Sequence, residues 1–125
     1  MTVLVPHEPI SAALVRHELA ADLGHYSLPD SCVDDAVLVI SELTSNALRH
    51  STVADDGASI DASWDVAVDG ITIRVSDTGA NLPDPQSADD RLAAGRGLTV
   101  VAALTDRWGV EPWPVGKCVW AHVPV

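Results

Sequence analysis

Apolar residues recur at intervals of three and four over the first fifty or so positions and at alternate positions over much of the remainder, so a helical half precedes a strand-rich one. After an extended start (Thr2 to Val5, then Pro6 and Pro9), Ser11 is placed to cap a helix from Ala12 to about Leu23. Leu14, Leu19 and Leu23 mark its apolar side, and Gly24 ends it. Asp30 or Ser31 caps a longer helix to about Arg49, in which Val33, Ala36, Val37, Ile40, Leu43, Ala47 and Leu48 form a continuous arc at about 100° per residue. Beyond a loop through Asp55-Asp56-Gly57, the β-rich stretches Ile60–Val68 and Ile71–Ser76 flank Asp69-Gly70, a two-residue hairpin turn.

The stretch from Thr78 to Arg96 carries Gly79, Pro83, Pro85 and Gly95 among mostly polar residues. It is too irregular for a regular element and long for a passive connection, which is the character of a lid. Gly97 then opens a helix through about Leu104, and Arg107–Val110 and Cys118–Val123 read as strands around the Pro112/Pro114 turn. This order predicts an α+β two-layer sandwich, and with no repeat or low-complexity tract the whole of 1–125 reads as a single domain.

Composition narrows the function. Seven Lys+Arg against eighteen Asp+Glu give a formal charge of −11, a surface that repels nucleic acid and anionic membranes. The longest apolar runs, such as Ala36 to Ile40, fall short of the ~20 residues a membrane span needs, and no basic start precedes an apolar signal region; the expectation is a soluble cytoplasmic protein. Cys32 and Cys118 lack partner-like spacing and read as two reduced, buried thiols. The five histidines form no HxxxH or CxxH pattern, and Ser41, Thr44 and Ser45 lack a GxSxG setting, so neither zinc chemistry nor nucleophilic hydrolysis is supported.

Three constellations carry chemistry. Glu42, Asn46 and His50 stack at four-residue spacing along the long helix, with Glu42 and Asn46 roughly opposite the apolar arc. A carboxylate and an amide oxygen on successive turns suit Mg²⁺ and a hydroxyl to be deprotonated, although ordinary solvated helix faces carry the same residue types. Asp77-Thr78-Gly79 ends a strand with a carboxylate able to accept from an exocyclic amine and a glycine that lets a planar ring approach, as adenine would; strand exits into turns use the same residues. Gly95-Arg96-Gly97-Leu98 opens a helix, where backbone N–H groups and Arg96 attract phosphate oxygens; a flexible helix entry is the bland alternative. No GxxxxGK[ST] occurs, and the third glycine of GxGxxG would fall on Val100, so neither a P-loop nor a Rossmann fingerprint is present.

In this order, the segment from Ser41 to His50 (SELTSNALRH), Asp77-Thr78-Gly79 and Gly95-Arg96-Gly97-Leu98 resemble the N, G1 and G2 boxes of the GHKL, or Bergerat-fold, ATP-binding superfamily. With GRGLTVVAALTDRWGV and the closing Gly116 to Trp120, the likeness spans the chain and points to short stand-alone bacterial anti-sigma factor serine/threonine kinases. The chain has no room for the dimerisation helices and phospho-acceptor histidine of sensor histidine kinases.

The resemblance implies a mixed, mostly antiparallel sheet covered on one face by helices. It further implies that Asn46 ligates Mg²⁺ on ATP, that Glu42 is the base on the acceptor hydroxyl, and that Asp77 reads the adenine amine beside Gly79. Gly95, Arg96, Gly97 and Leu98 would meet the phosphates under a lid within about 78–96, with Arg49 and His50 flanking the pocket and Lys117 nearby. The implied partners are a sigma factor and an anti-sigma-factor antagonist, with a homodimer left open; the alternative is a non-catalytic, ATP-dependent interaction module of the same fold. One departure stands out: the second glycine of the fuller DxGxG form is Asn81 here, and the lid holds Pro83 and Pro85.

Overall fold

The computed structural model describes residues 1–50, 59–77, 95–113 and 116–125. Among these residues five strands and three helices follow in the order β1 (Thr2–Pro6), α1 (Ser11–Leu23), α2 (Asp30–His50), β2 (Ser59–Ala67), β3 (Gly70–Asp77), α3 (Gly95–Leu104), β4 (Arg107–Trp113) and β5 (Gly116–Pro124). The strands form one sheet in the order β1-β2-β3-β5-β4, and every pairing in it is antiparallel, in keeping with the mostly antiparallel sheet expected of an α+β sandwich. The extended start is a full edge strand, with Val5 opposite Ile60.

Alternation along each strand sorts the side chains. Ile60, Ala62 and Trp64 of β2, Ile71, Ile73 and Val75 of β3, and Val119, Ala121 and Val123 of β5 are buried on one face. The helices cover that face with Val15, Leu19 and Leu23 of α1, Ala36, Val39, Ile40, Leu43 and Ala47 of α2, and Val101 of α3. Helix α2 lies against β3 and β5 and is flanked by α1 and α3. Trp64, 1% exposed, reaches through this layer to donate from Nε1 to Asp22 Oδ2 at 2.7 Å, tying the end of α1 to β2. That bond satisfies the one polar atom of a large buried ring. Both cysteines are buried free thiols, and burial pushes the Cys32 thiol up from its ordinary range, with the Asp35 charge adding to the effect.

Local chemistry moves several boundaries. Ser11 is a residue of α1 rather than its cap, because its hydroxyl donates to the Pro6 carbonyl and ties the helix start to β1. The apolar side of α1 runs through Val15 instead of Leu14, which is 45% exposed. Pro29 heads α2 in place of Asp30 or Ser31, its carbonyl accepting from Cys32 N at 3.0 Å and Val33 N at 3.2 Å. Helix α3 begins at Gly95, earlier than Gly97. The hairpin turn falls one residue early: Ala67 pairs with Gly70, leaving Val68-Asp69 as the loop. Gly70 has φ +147, and a Cβ there would stand 2.1 Å from the Val123 carbonyl oxygen, so glycine is required by both conformation and space.

Candidate functional site

Helix α2 forms because its apolar positions repeat at helical spacing, and the same geometry fixes where Glu42 and Asn46 emerge. Glu42 is half-buried, as expected for a group at the edge of a helix layer. Asn46 is different: at 2% exposure it belongs to the buried arc rather than pointing away from it. The buried arc of α2 also takes in Cys32 and Val39, and Val39, seven residues before Asn46, stands about 20° from it on the helix. An arc centred on Val33, Ala36, Val37, Ile40, Leu43, Ala47 and Leu48 leaves Val39 out and so places Asn46 too far from the core.

The two buried polar side chains of this part of α2 have opposite fates. Thr44 donates to the Ile40 carbonyl at 2.7 Å and is satisfied within its own helix. The Asn46 amide oxygen, Oδ1, is buried with no hydrogen-bond partner among the described residues. An orphaned buried acceptor is costly and uncommon in a folded protein, and it marks a place where a further group completes the bonding. A neutral amide oxygen is a suitable donor to a hard cation such as Mg²⁺, which takes one or two protein oxygens and keeps the rest of its shell for water and phosphate. The half-buried carboxylate of Glu42 one turn earlier completes a pair able to serve a metal and a proton.

The other candidates distribute around this pair as follows. Arg49 is exposed on the last turn of α2, and His50 is the final residue of that helix. Asp77 is the last residue of β3, its backbone opposite Ile60, so the strand against which α2 packs delivers it to the sheet's end. Gly95, Arg96, Gly97 and Leu98 form the first turn of α3, and the first N–H groups of a helix have no partner within it. Lys117 lies on β5. The side chains of His50, Asp77, Arg96, Leu98 and Lys117 lie outside the described set, as do Thr78, Gly79, Asn81 and the lid assigned to 80–94. Among the described residues no group of three or more His, Cys, Asp or Glu side chains is placed to hold a metal, and no helix is long and apolar enough to cross a membrane.

The uncovered face of the sheet carries features that the sequence did not announce. Thr72, Arg74, Arg107, Glu111, Trp120 and His122 line an open groove of about 280 Å³. Trp120 lies across Gly109, where an added Cβ would come within 2.9 Å of its indole Nε1. At one end His122 is buried, its Nδ1 2.6 Å from Asp106 Oδ1. The Asp106 carboxyl is held below the ordinary carboxylate range, first by that hydrogen bond and further by the charges of His122 and Arg107. Asp69 and Asp106 sit in separate turns, so no spacing in the sequence predicts their convergence.

Comparison with known proteins agrees with this architecture. The family model of the histidine kinase-like ATPase domain matches residues 5–123. No curated protein matches the chain. Among solved structures, the RsbU and RsbW domains of Rv1364c from Mycobacterium tuberculosis are similar over 99% of this chain and 32% of that one, with a TM-score of 0.72 and 22% identity. The histidine kinase domain of the blue-light activated histidine kinase EL346 from Erythrobacter litoralis is similar over 90% of this chain and 60% of that one, with a TM-score of 0.61 and 17% identity. A longer structure of the same kinase gives 0.63 at 18% identity over 90% of this chain and 41% of that one. The chain therefore spans about a third of the first of these and about three-fifths and two-fifths of the others, and at such identities the likeness is one of fold.

Proposed function

The chain belongs to the family of histidine kinase-like ATPase domains, and from that premise we propose that it is an ATP-binding anti-sigma factor that phosphorylates a serine or threonine of a small antagonist protein. The observation that carries this reading is the buried, unpartnered amide oxygen of Asn46 one helical turn from Glu42. The similarity to a protein whose described domains include an RsbW domain supports the choice of a regulatory kinase over a sensor histidine kinase.

In this reading Asn46 would hold Mg²⁺ through Oδ1, and the metal would supply charge neutralisation on the ATP phosphates. Glu42 orients the acceptor hydroxyl and takes its proton as the oxygen bonds to the γ-phosphorus and the bond to the departing ADP oxygen breaks. Asp77 and Gly79 receive the adenine, and the first turn of α3 offers N–H groups and Arg96 to the phosphates. Phosphoryl transfer relies chiefly on positioning and charge stabilisation, so this small set is sufficient equipment. It also suits a chain of net charge −11, which needs a metal and a few focused donors to accept a polyanion.

The test is transfer of the labelled γ-phosphate of Mg-ATP to a cognate antagonist. The wild type should phosphorylate it and Glu42→Gln should not, while both bind nucleotide. Normal binding without transfer by the wild type sinks the kinase. Asn81 at the second glycine position of the G1 box favours one other reading, a non-catalytic module that uses ATP to select a partner-competent conformation. In that case Glu42→Ala leaves partner binding unchanged.

A further inference from the structure

His122 is the one histidine buried among the described residues, and the chemistry proposed above does not use it. It stands on β5, its side chain 4% exposed, with its Nδ1 2.6 Å from the Asp106 carboxylate. The backbone adds a second tie, since Asp106 N donates to the His122 carbonyl at 3.1 Å. Because Asp106 is held in its ionised form, Nδ1–H is the donor in the side-chain bond. The other ring nitrogen, Nε2, is buried without a hydrogen bond and faces Asp69 Oδ1 at 3.5 Å. Arg107 closes the ring, with Nη2 3.7 Å from Asp69 and Nε 4.0 Å from Asp106.

The position of this clasp in the fold gives it a use. Asp106 follows α3 directly after Thr105, whose hydroxyl closes the last turn on the Val101 carbonyl at 2.7 Å. Helix α3 is ten residues long, too short to hold its shape or place by its own hydrogen bonds. Ties that hold it among the described residues include the buried Val101, the packing of Leu104 on the core, the contact with α2, and the double tie from Asp106 to β5. A helix is stiff over such a length, so fastening its last turn also sets where its first turn points.

We propose that His122 is a positioning residue for nucleotide binding: through Asp106 it anchors the C-terminal end of α3 to the sheet, so that the N–H groups of the first turn stand ready for phosphate. The proposal rests on the ATP reading of the preceding subsection. Without the clasp, α3 samples displaced positions, and apparent affinity falls by the fraction of time it is correctly placed.

The experiment measures Mg-ATP affinity by titration calorimetry and amide hydrogen exchange along α3 for the full chain and three variants. His122→Ala and Asp106→Ala each cut the bond, the latter from a side chain that is 48% exposed and therefore safe for folding. His122→Asn places an amide nitrogen close to where Nδ1 was, as a donor to Asp106. Both alanine variants should bind Mg-ATP about tenfold more weakly and exchange faster in α3 with the sheet amides unchanged. His122→Asn should stay within about threefold of wild type. Wild-type affinity in Asp106→Ala overturns the proposal, as does an asparagine variant no better than alanine. A wild type that binds no Mg-ATP overturns the nucleotide reading itself, a result separable from the other two.

Discussion

Replacing Asn46 by leucine should stabilise the nucleotide-free protein and in the same step remove its ability to hold Mg-ATP. Leucine has the same branching and the same number of side-chain heavy atoms as asparagine. The Asn46 side chain is 2% exposed and its Oδ1 has no hydrogen-bond partner, so the substitution breaks no bond to that oxygen. Relief of a buried unsatisfied acceptor is worth about 1–3 kcal/mol, from which loss of the amide nitrogen's own bonding and the larger radius of the methyl groups take back a part. A net gain of about 1 kcal/mol raises the Tm of a domain of 125 residues by about 4 °C. With Mg-ATP at 100 times its dissociation constant the wild type gains about 2.7 kcal/mol and the variant gains nothing, so the order of the two melting temperatures inverts. Differential scanning calorimetry with and without Mg-ATP reads both effects. An Asn46→Leu protein that melts below wild type in the absence of nucleotide, or that still responds to Mg-ATP, would refute the reasoning.

Two further expectations concern stability. Gly70→Ala combines a backbone angle that L-residues rarely adopt with a Cβ 2.1 Å from the Val123 carbonyl oxygen, so it should cost at least about 3 kcal/mol, lowering the urea midpoint at unchanged m-value; a loss below about 1 kcal/mol would contradict the geometry. Asp106 has a folded-state carboxyl held low, chiefly by His122, so its contribution is complete above the unfolded carboxylate value of about 3.9 and is lost as pH falls through the lower folded value. Urea midpoints of wild type and Asp106→Asn should therefore differ at pH 7 and draw together in acid, and a gap as wide at pH 2 as at pH 7 would exclude this linkage.

The sequence is legible wherever an element's pattern depends on one neighbouring layer. The apolar arc of α2 against the sheet, and the alternation of β2 and β3 around their turn, are periodic enough to be read directly. The four-residue spacing of Glu42 and Asn46 was equally plain. Burial of Asn46 was not, because the apolar arc omitted Val39, which lies about 20° from it on the helix and is itself buried. The cap at Ser11 was misplaced for a different reason: a hydroxyl that can close a helix can also bond a carbonyl of a preceding strand, and here Pro6 wins. His122 sits in a strand as any alternating residue does, and only the meeting of two turns around it shows what it touches.

The strand order has a consequence for how the chain is made. β5, the last strand in sequence, lies inside the sheet between β3 and β4, and both neighbours pair with it along most of its length. A nascent chain that has emerged only as far as β4 can form the β1-β2-β3 meander and the helices, yet it leaves the inner edge of β3 bare and β4 with no strand to join. The sheet closes only when β5 is out, through long-range pairings that fold slowly and expose a sticky edge in the meantime. Ribosome-stalled chains ending before Gly116 should accordingly be cut readily by protease and captured by chaperones, and should acquire resistance when the stall point moves beyond Pro124 by the length of the exit tunnel.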